Sequence, residues 1–314
     1  MDASAAAAKA TVVGTRIHWN NRAHDDLSPI PVERVLQQTR AFWERAATYA
    51  DGIVIAVGLP QQAATQLHAA QADDLFLASV RDFLTRLQHE TCNGVAVESA
   101  SKDSNATTTR SRTVPVVVLP MLHWGSFVPA INAIISCAAT QFPRASLLLL
   151  QSLEIEVDAA GVAFLKTHFE LGTDLVVGAA LPGHSFMPTS DELIELNGLT
   201  TPWNTLALWD LARLARVGFP LIGDGLKIDG ATSCAGVEEV TTIAMYQQLY
   251  PSASRAQVIQ VPGIAWQVDN FESEERRIWQ DKKMASKLQR AETQMTHFHV
   301  APGKVYHKQT KPGA

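Results

Sequence analysis

Carboxylates are the residues of this chain best placed to do chemistry. Two of them, Glu154 and Glu156, follow the apolar run Leu147 to Leu150. In extended backbone, residues two apart share a face, so both side chains reach one site. Paired carboxylate oxygens there suit a hard divalent cation such as Mg²⁺ or Mn²⁺. Two more, Glu238 and Glu239, follow Gly236 and open a segment with helical spacing. One of these is placed to act as a general base. Acids in a first helical turn are also favoured by the backbone dipole alone, so a purely structural role stands as the alternative.

Other polar and aromatic groups fall near the same places. Pro202, Trp203 and Asn204 form a corner, where the Trp203 ring suits packing against sugar C–H groups. His184, in LPGHSF, and the pair His123 and Trp124 each follow an apolar run. Arg16 closes the first such run. Lys283, Lys287 and Arg290 share a face by i, i+4 and i+7 spacing, although neighbouring acids also fit a solvated helix. His297 and His299 stand two apart, a spacing that binds metal in an extended chain.

The elements that must position these groups alternate. Val12 to Ile17, Ile53 to Val57, Val116 to Leu119, Leu147 to Leu150 and Asp174 to Leu181 read as strands buried on both faces. Between them, helical spacing runs over 31–49, 75–87, from Gly125 through Ile135, and over 159–170. This order predicts a layered α/β sheet with a mostly parallel arrangement. Such sheets bind ligands beyond the carboxyl ends of their strands. Further on, the spacing predicts a helix over 202–217, another over 237–250, a strand over 257–261 and a long charged helix over 272–294. The polar segment 88–113 reads as a flexible insertion. Residues 1–10 and 296–314 read as tails, leaving 11–295 as one domain.

Composition narrows the function classes. The 314 residues are 46% hydrophobic and 18% charged, as expected of a globular chain with a sizeable core. A formal net charge of −5 and the lack of a basic cluster argue against nucleic acid as a partner. Three scattered cysteines suit a reducing, cytoplasmic setting. No apolar run reaches membrane-span length, although peripheral membrane contact stays compatible with the composition. No G-x-G-x-x-G follows a strand and no G-x-S-x-G occurs, which argues against a Rossmann dehydrogenase and a serine hydrolase.

The element order from Val12 to Trp266 resembles the GT-A fold of nucleotide-sugar glycosyltransferases, especially family 2. Gly125, Ala130 and Asn132 in GSFVPAIN are similar to a Gly-x-x-x-x-Ala-x-Asn in that family. LLLLQSLE looks like the strand that leads into its Asp-x-Asp motif, and GVEEV sits where the family has its Glu-Asp pair. The resemblance implies a three-layer fold, a nucleotide-sugar donor, an acceptor of unknown kind and a bridging Mg²⁺ or Mn²⁺ held by Glu154 and Glu156. It implies Glu238 or Glu239 as catalytic base. Arg16, His123, Trp124, Asn132, His184, Trp203, Asn204, Lys283 and Lys287 then meet the substrate. The sequence departs from the family where the Asp-x-Asp position reads Gln151-Ser152-Leu153. That departure keeps a non-catalytic nucleotide-sugar binder open. A nucleotidyltransferase is the remaining alternative, although no Gly-rich loop follows the first strand.

Overall fold

The computed structural model describes residues 9–19, 28–60, 75–103, 106–188, 192–225, 236–266 and 285–309. In chain order the strands are β1 (Thr11–Ile17), β2 (Gly52–Gly58), β3 (Val95–Asp103), β4 (Ala106–Val114), β5 (Val116–Met121), β6 (Leu147–Gln151), β7 (Ile155–Glu156), β8 (Asp174–Ala179), β9 (Leu193–Glu195), β10 (Leu206–Asp210), β11 (Arg255–Ile259), β12 (Ala265–Trp266) and β13 (Lys304–Lys308). The helices are α1 (Val32–Ala47), α2 (Leu75–Thr91), α3 (Val128–Gln141), α4 (Ala159–His168), α5 (Leu211–Val217), α6 (Glu238–Leu249) and α7 (Lys287–His297).

Among the described residues nine strands form one sheet in the order β5-β2-β1-β6-β10-β8-β11-β13-β9. β1 pairs in parallel with β2 and β6, β2 with β5, and β11 with β8 and β13. β10 runs antiparallel between β6 and β8. Successive strand residues enter opposite cores. Ile53, Ile55, Leu147, Leu149, Leu206 and Leu208 join α1, α2 and α4 on one face. Val54, Ala56, Leu148, Leu150, Ala207 and Trp209 join α3, α5, α6 and α7 on the other. Gly14 marks how closely α3 lies on the sheet, because a Cβ there would stand 2.5 Å from Ile134. The result is the three-layer, mostly parallel mixed α/β sheet that the resemblance to GT-A proteins implies.

Three expectations differ from what is observed. Leu206–Asp210 is a strand, and only Leu211–Val217 is helical. All five β10 residues are buried, so the run shows no polar alternation that would separate it from a helix. The side chain of Asp210 accepts from the backbone N–H of Arg213 at 2.8 Å and starts the helix there. Segment 88–113 holds the end of α2 and the antiparallel ribbon of β3 and β4, in register from Val95–Val114 to Asp103–Ala106. Its threonine-rich strand suits extended backbone. Near the C-terminus, 296–314 includes β13, which adds to the main sheet with Val305 and His307 fully buried. Much of the long helix expected over 272–294 lies outside the described residues, and within that span α7 begins at Lys287.

Candidate functional site

β1, β2, β5, β6, β8 and β11 all point the same way, so their carboxyl ends share one edge of the sheet. α3 and α6 each lead back to the opposite edge, which puts their N-termini at this one. β10 runs against its neighbours, so the corner before it, Trp203 and Asn204, also sits here.

Glu238 and Glu239 open α6 and are 4% and 7% exposed, unusual for two adjacent acids. Asn204 joins them. Its backbone N–H donates to Glu239 Oε1 at 2.8 Å, and its Nδ2 donates to Glu238 Oε1 at 3.3 Å. Glu238 Oε2 is buried with no hydrogen-bond partner among the described residues. Burial, and then the charge of Glu238, push the Glu239 carboxyl up to about 7, against the lowering pull of Lys287 and of the Asn204 N–H.

Trp203 stands beside this pair. Its indole N–H donates to the Gly198 carbonyl at 3.0 Å. His184 stacks 3.7 Å from the ring centre, and Lys287 Nζ lies 3.3 Å from it. Two groups that close to one centre occupy opposite faces, so both faces of the ring are taken. His184 accepts the Leu181 N–H at Nδ1, which leaves Nε2 to donate to the Thr201 carbonyl at 2.9 Å. The ring is thereby held as the neutral Nε2–H tautomer. Burial brings it down to about 4.

A second group collects at the ends of β1 and β5. The Arg16 guanidinium lies 5.4 Å from the centre of the Phe127 ring. His18 packs 5.5 Å from Trp124 and 5.8 Å from Phe127. Trp124 is 6% exposed, and its indole N–H has no partner among the described residues. His123, next to it, is exposed. The two groups meet at the 3-10 turn Leu221–Asp224. One oxygen of Asp224 accepts the N–H groups of Ser126, Phe127 and Val128 at 2.7, 2.6 and 3.0 Å, capping α3. Gly223 in the same turn is packed so tightly on Glu238 that a Cβ would stand 2.6 Å from the Glu238 Cβ. Gly125 has φ +62, and a Cβ there would lie 2.1 Å from Asp224. Gly223-Asp224-Gly225 reads in the sequence only as a turn signal. The signal for its capping role is long-range and has no local spacing.

The edge thus brings together Glu238, Glu239, Asn204, Trp203, His184 and Lys287, with Arg16, His123 and Trp124 at its other end. Asn132 has both ends of its amide on the backbone of Phe219, each at 2.9 Å. Lys283 lies outside the described residues.

The residues that the resemblance implies for a divalent cation lie as follows among the described residues. Gln151, at the Asp-x-Asp position, is 2% exposed and accepts from the Tyr49 hydroxyl at 2.9 Å. Its Nε2 donates to the Ile155 carbonyl at 3.1 Å. Leu153 is apolar. Glu156 pairs with Arg45 of α1 at 3.4 Å, on the sheet face opposite α6. Glu154 is exposed in the turn after β6. Among the described residues no three His, Cys, Asp or Glu side chains cluster as a metal site would need.

Neither a scan against protein-family models nor a search of curated proteins returns a match. Among solved structures the chain is similar to a 4-diphosphocytidyl-2C-methyl-D-erythritol synthase from Anaerococcus prevotii, at 9% identity and a TM-score of 0.41, covering 90% of this chain and 100% of that one. A likeness at that score bears neither on the site nor on the activity. No helix among the described residues is long and apolar enough to cross a membrane.

Proposed function

We propose that this protein is a transferase acting on a nucleotide-linked substrate at the carboxyl edge of its sheet, with Glu238 and Glu239 as its acid–base pair. The observation that carries the reading is Glu238 Oε2, a buried carboxyl oxygen without a hydrogen-bond partner among the described residues. Leaving such an atom unsatisfied costs about 1–3 kcal/mol, and a ligand hydroxyl removes that cost by donating to it. Glycosyl transfer uses this arrangement directly. The acceptor hydroxyl gives its proton to Glu238, its oxygen bonds to the sugar carbon, and the nucleoside diphosphate leaves with the electron pair of the broken bond. A carboxyl titrating near 7 next to the base accepts and returns protons at neutral pH.

Nucleotidyl transfer is the second reading, favoured by Arg16. That residue ends β1 and has no ion pair among the described residues, a position suited to a triphosphate. A phosphate nucleophile is already ionised and needs no base, so the buried carboxyl pair weighs toward a hydroxyl acceptor.

Incubation with UDP-, GDP- and CDP-sugars and with nucleoside triphosphates, followed by phosphorus NMR, tests both. Release of nucleoside diphosphate supports glycosyl transfer, and release of pyrophosphate supports nucleotidyl transfer. Thermal stabilisation by a nucleotide without either product leaves a binder. Glu238→Gln is expected to keep ligand stabilisation and lose turnover by about 10²–10⁴-fold; unchanged turnover reassigns the base.

A further inference from the structure

Asn204 is 1% exposed, and its backbone N–H, Nδ2 and Oδ1 each have a partner inside the protein. Its N–H goes to Glu239 and its Nδ2 to Glu238. Its Oδ1 accepts the indole N–H of Trp209 at 3.1 Å. An indole donates and does not accept, so Trp209 fixes which way round the amide lies. With Oδ1 turned to Trp209, Nδ2 is forced toward Glu238. Trp209 is itself fully buried in β10, so this orientation is set by the core. The two carboxylates therefore receive unlike donors. Glu239 takes a rigid backbone N–H, and Glu238 takes a side-chain N–H that leaves its other oxygen open.

We infer that Asn204 is a positioning residue that distinguishes the two carboxyls, fixing Glu238 by one oxygen so that Oε2 faces the ligand. This rests on the acid–base reading above. It gives the Asn204 side chain a role through Glu238 and Trp209, the groups its Nδ2 and Oδ1 meet. At neutral pH an amide of this length offers an acceptor to Trp209 and a donor to Glu238 at once without adding charge. A carboxylate would put a third like charge in the same buried space.

The variant Asn204→Asp keeps the size, the backbone N–H to Glu239 and the acceptor for Trp209; it removes the donor to Glu238 and, when ionised, adds a like charge beside the pair. Wild type and variant are labelled with carbon-13 at the glutamate carboxyls and titrated by NMR. Turnover, read as nucleoside diphosphate release, is followed against pH. The wild-type Glu239 signal is expected to titrate near neutrality. In Asn204→Asp its midpoint is expected to rise by about one pH unit, a tenfold change in protonation. Turnover at pH 7.5 is expected to fall at least as much and to recover toward acid pH, where a protonated Asp can donate again. An Asn204→Asp variant with the wild-type midpoint and pH profile overturns the inference while leaving the acid–base pair standing. A wild-type Glu239 that titrates as a free glutamate overturns both. Should Asn204→Asp not fold, Trp209→Phe removes the orienting N–H together with the pyrrole part of the buried indole, so its stability is measured alongside. The same displacement of midpoint and profile is expected, and no displacement counts against the inference.

Discussion

The ammonium of Lys287 sits 3.3 Å from the centre of the Trp203 ring, on the face that His184 leaves open. Lys287 is 8% exposed, so the ring face replaces part of its hydration. The contact binds α7 to the corner that carries Asn204. It also sets a positive charge near the carboxyl pair, where it pulls Glu239 downward against burial. The polar end of the site is thus supported by an aromatic stack that no ligand needs to enter.

Glu239 makes stability fall with rising pH. Its folded carboxyl is raised from 4.5 to about 7 by burial and by Glu238. The folded state therefore holds a proton that the unfolded chain has already lost. The contribution is complete below about 4.5 and is lost as pH rises through about 7. Urea denaturation of wild type and Glu239→Gln between pH 5 and 8 checks this, and the variant is expected to show the shallower decline.

His184 acts with the opposite sign. Burial lowers it from 6.5 to about 4. The unfolded chain takes up this proton first, so the contribution is present above 6.5 and is lost as pH falls toward about 4. His307 is lowered in the same direction by burial and is held likewise, with Nδ1 accepting from Met187 and Nε2 donating to Thr200. Together they secure the segment that leads to Trp203. Replacing His184 with Gln is expected to reduce the loss of stability between pH 7 and 5, whatever its effect at pH 7 itself.

Much of this was legible in the sequence, for a physical reason. Runs such as Ile53 to Val57 and Leu147 to Leu150 are buried on both faces, so their composition alone identifies central strands. The position of Glu238 and Glu239 at a helix start after Gly236 was equally plain. β10 was not, because a fully buried antiparallel strand running into a helix keeps an apolar pattern throughout. The capping of α3 by Asp224 was hidden as well, since its partners are nearly a hundred residues away in sequence. Spacing alone puts Glu154 and Glu156 on one face, whereas the pairing of Glu156 with Arg45 of α1 is a long-range contact with no local signal.

Ligand binding is expected to be independent of divalent cation, since Gln151 is locked by Tyr49 and Ile155 and Glu156 is paired with Arg45. Isothermal titration of a bound nucleotide after treatment with EDTA, and again with added Mn²⁺, is expected to give affinities within about twofold of each other, far inside the tenfold change that 1.4 kcal/mol would produce. Binding that requires Mn²⁺ would place a donor set in the segments outside the described residues.

Asp174 lies at the other edge of the sheet and is fully buried. It accepts from Arg255 Nε at 2.5 Å, Gln257 Nε2 at 2.7 Å and the Glu170 N–H at 2.7 Å. Asp174→Ala is expected to lower stability by roughly 3 kcal/mol, the low end for a broken buried pair because Arg255 is partly exposed. Its nucleotide affinity at 10 °C is expected to stay at the wild-type value.

The indole N–H groups report most directly on where a nucleotide-linked substrate binds. Nitrogen-15 labelling of tryptophan separates Trp124, at the carboxyl edge on the α3 and α6 face, from Trp43 of α1 in the core of the opposite face. Titration with UDP-, GDP- and CDP-sugars is expected to shift Trp124 saturably with at least one of them and to leave Trp43 unmoved. If no nucleotide sugar moves Trp124, or if Trp43 moves in its place, the carboxyl edge is not the substrate site.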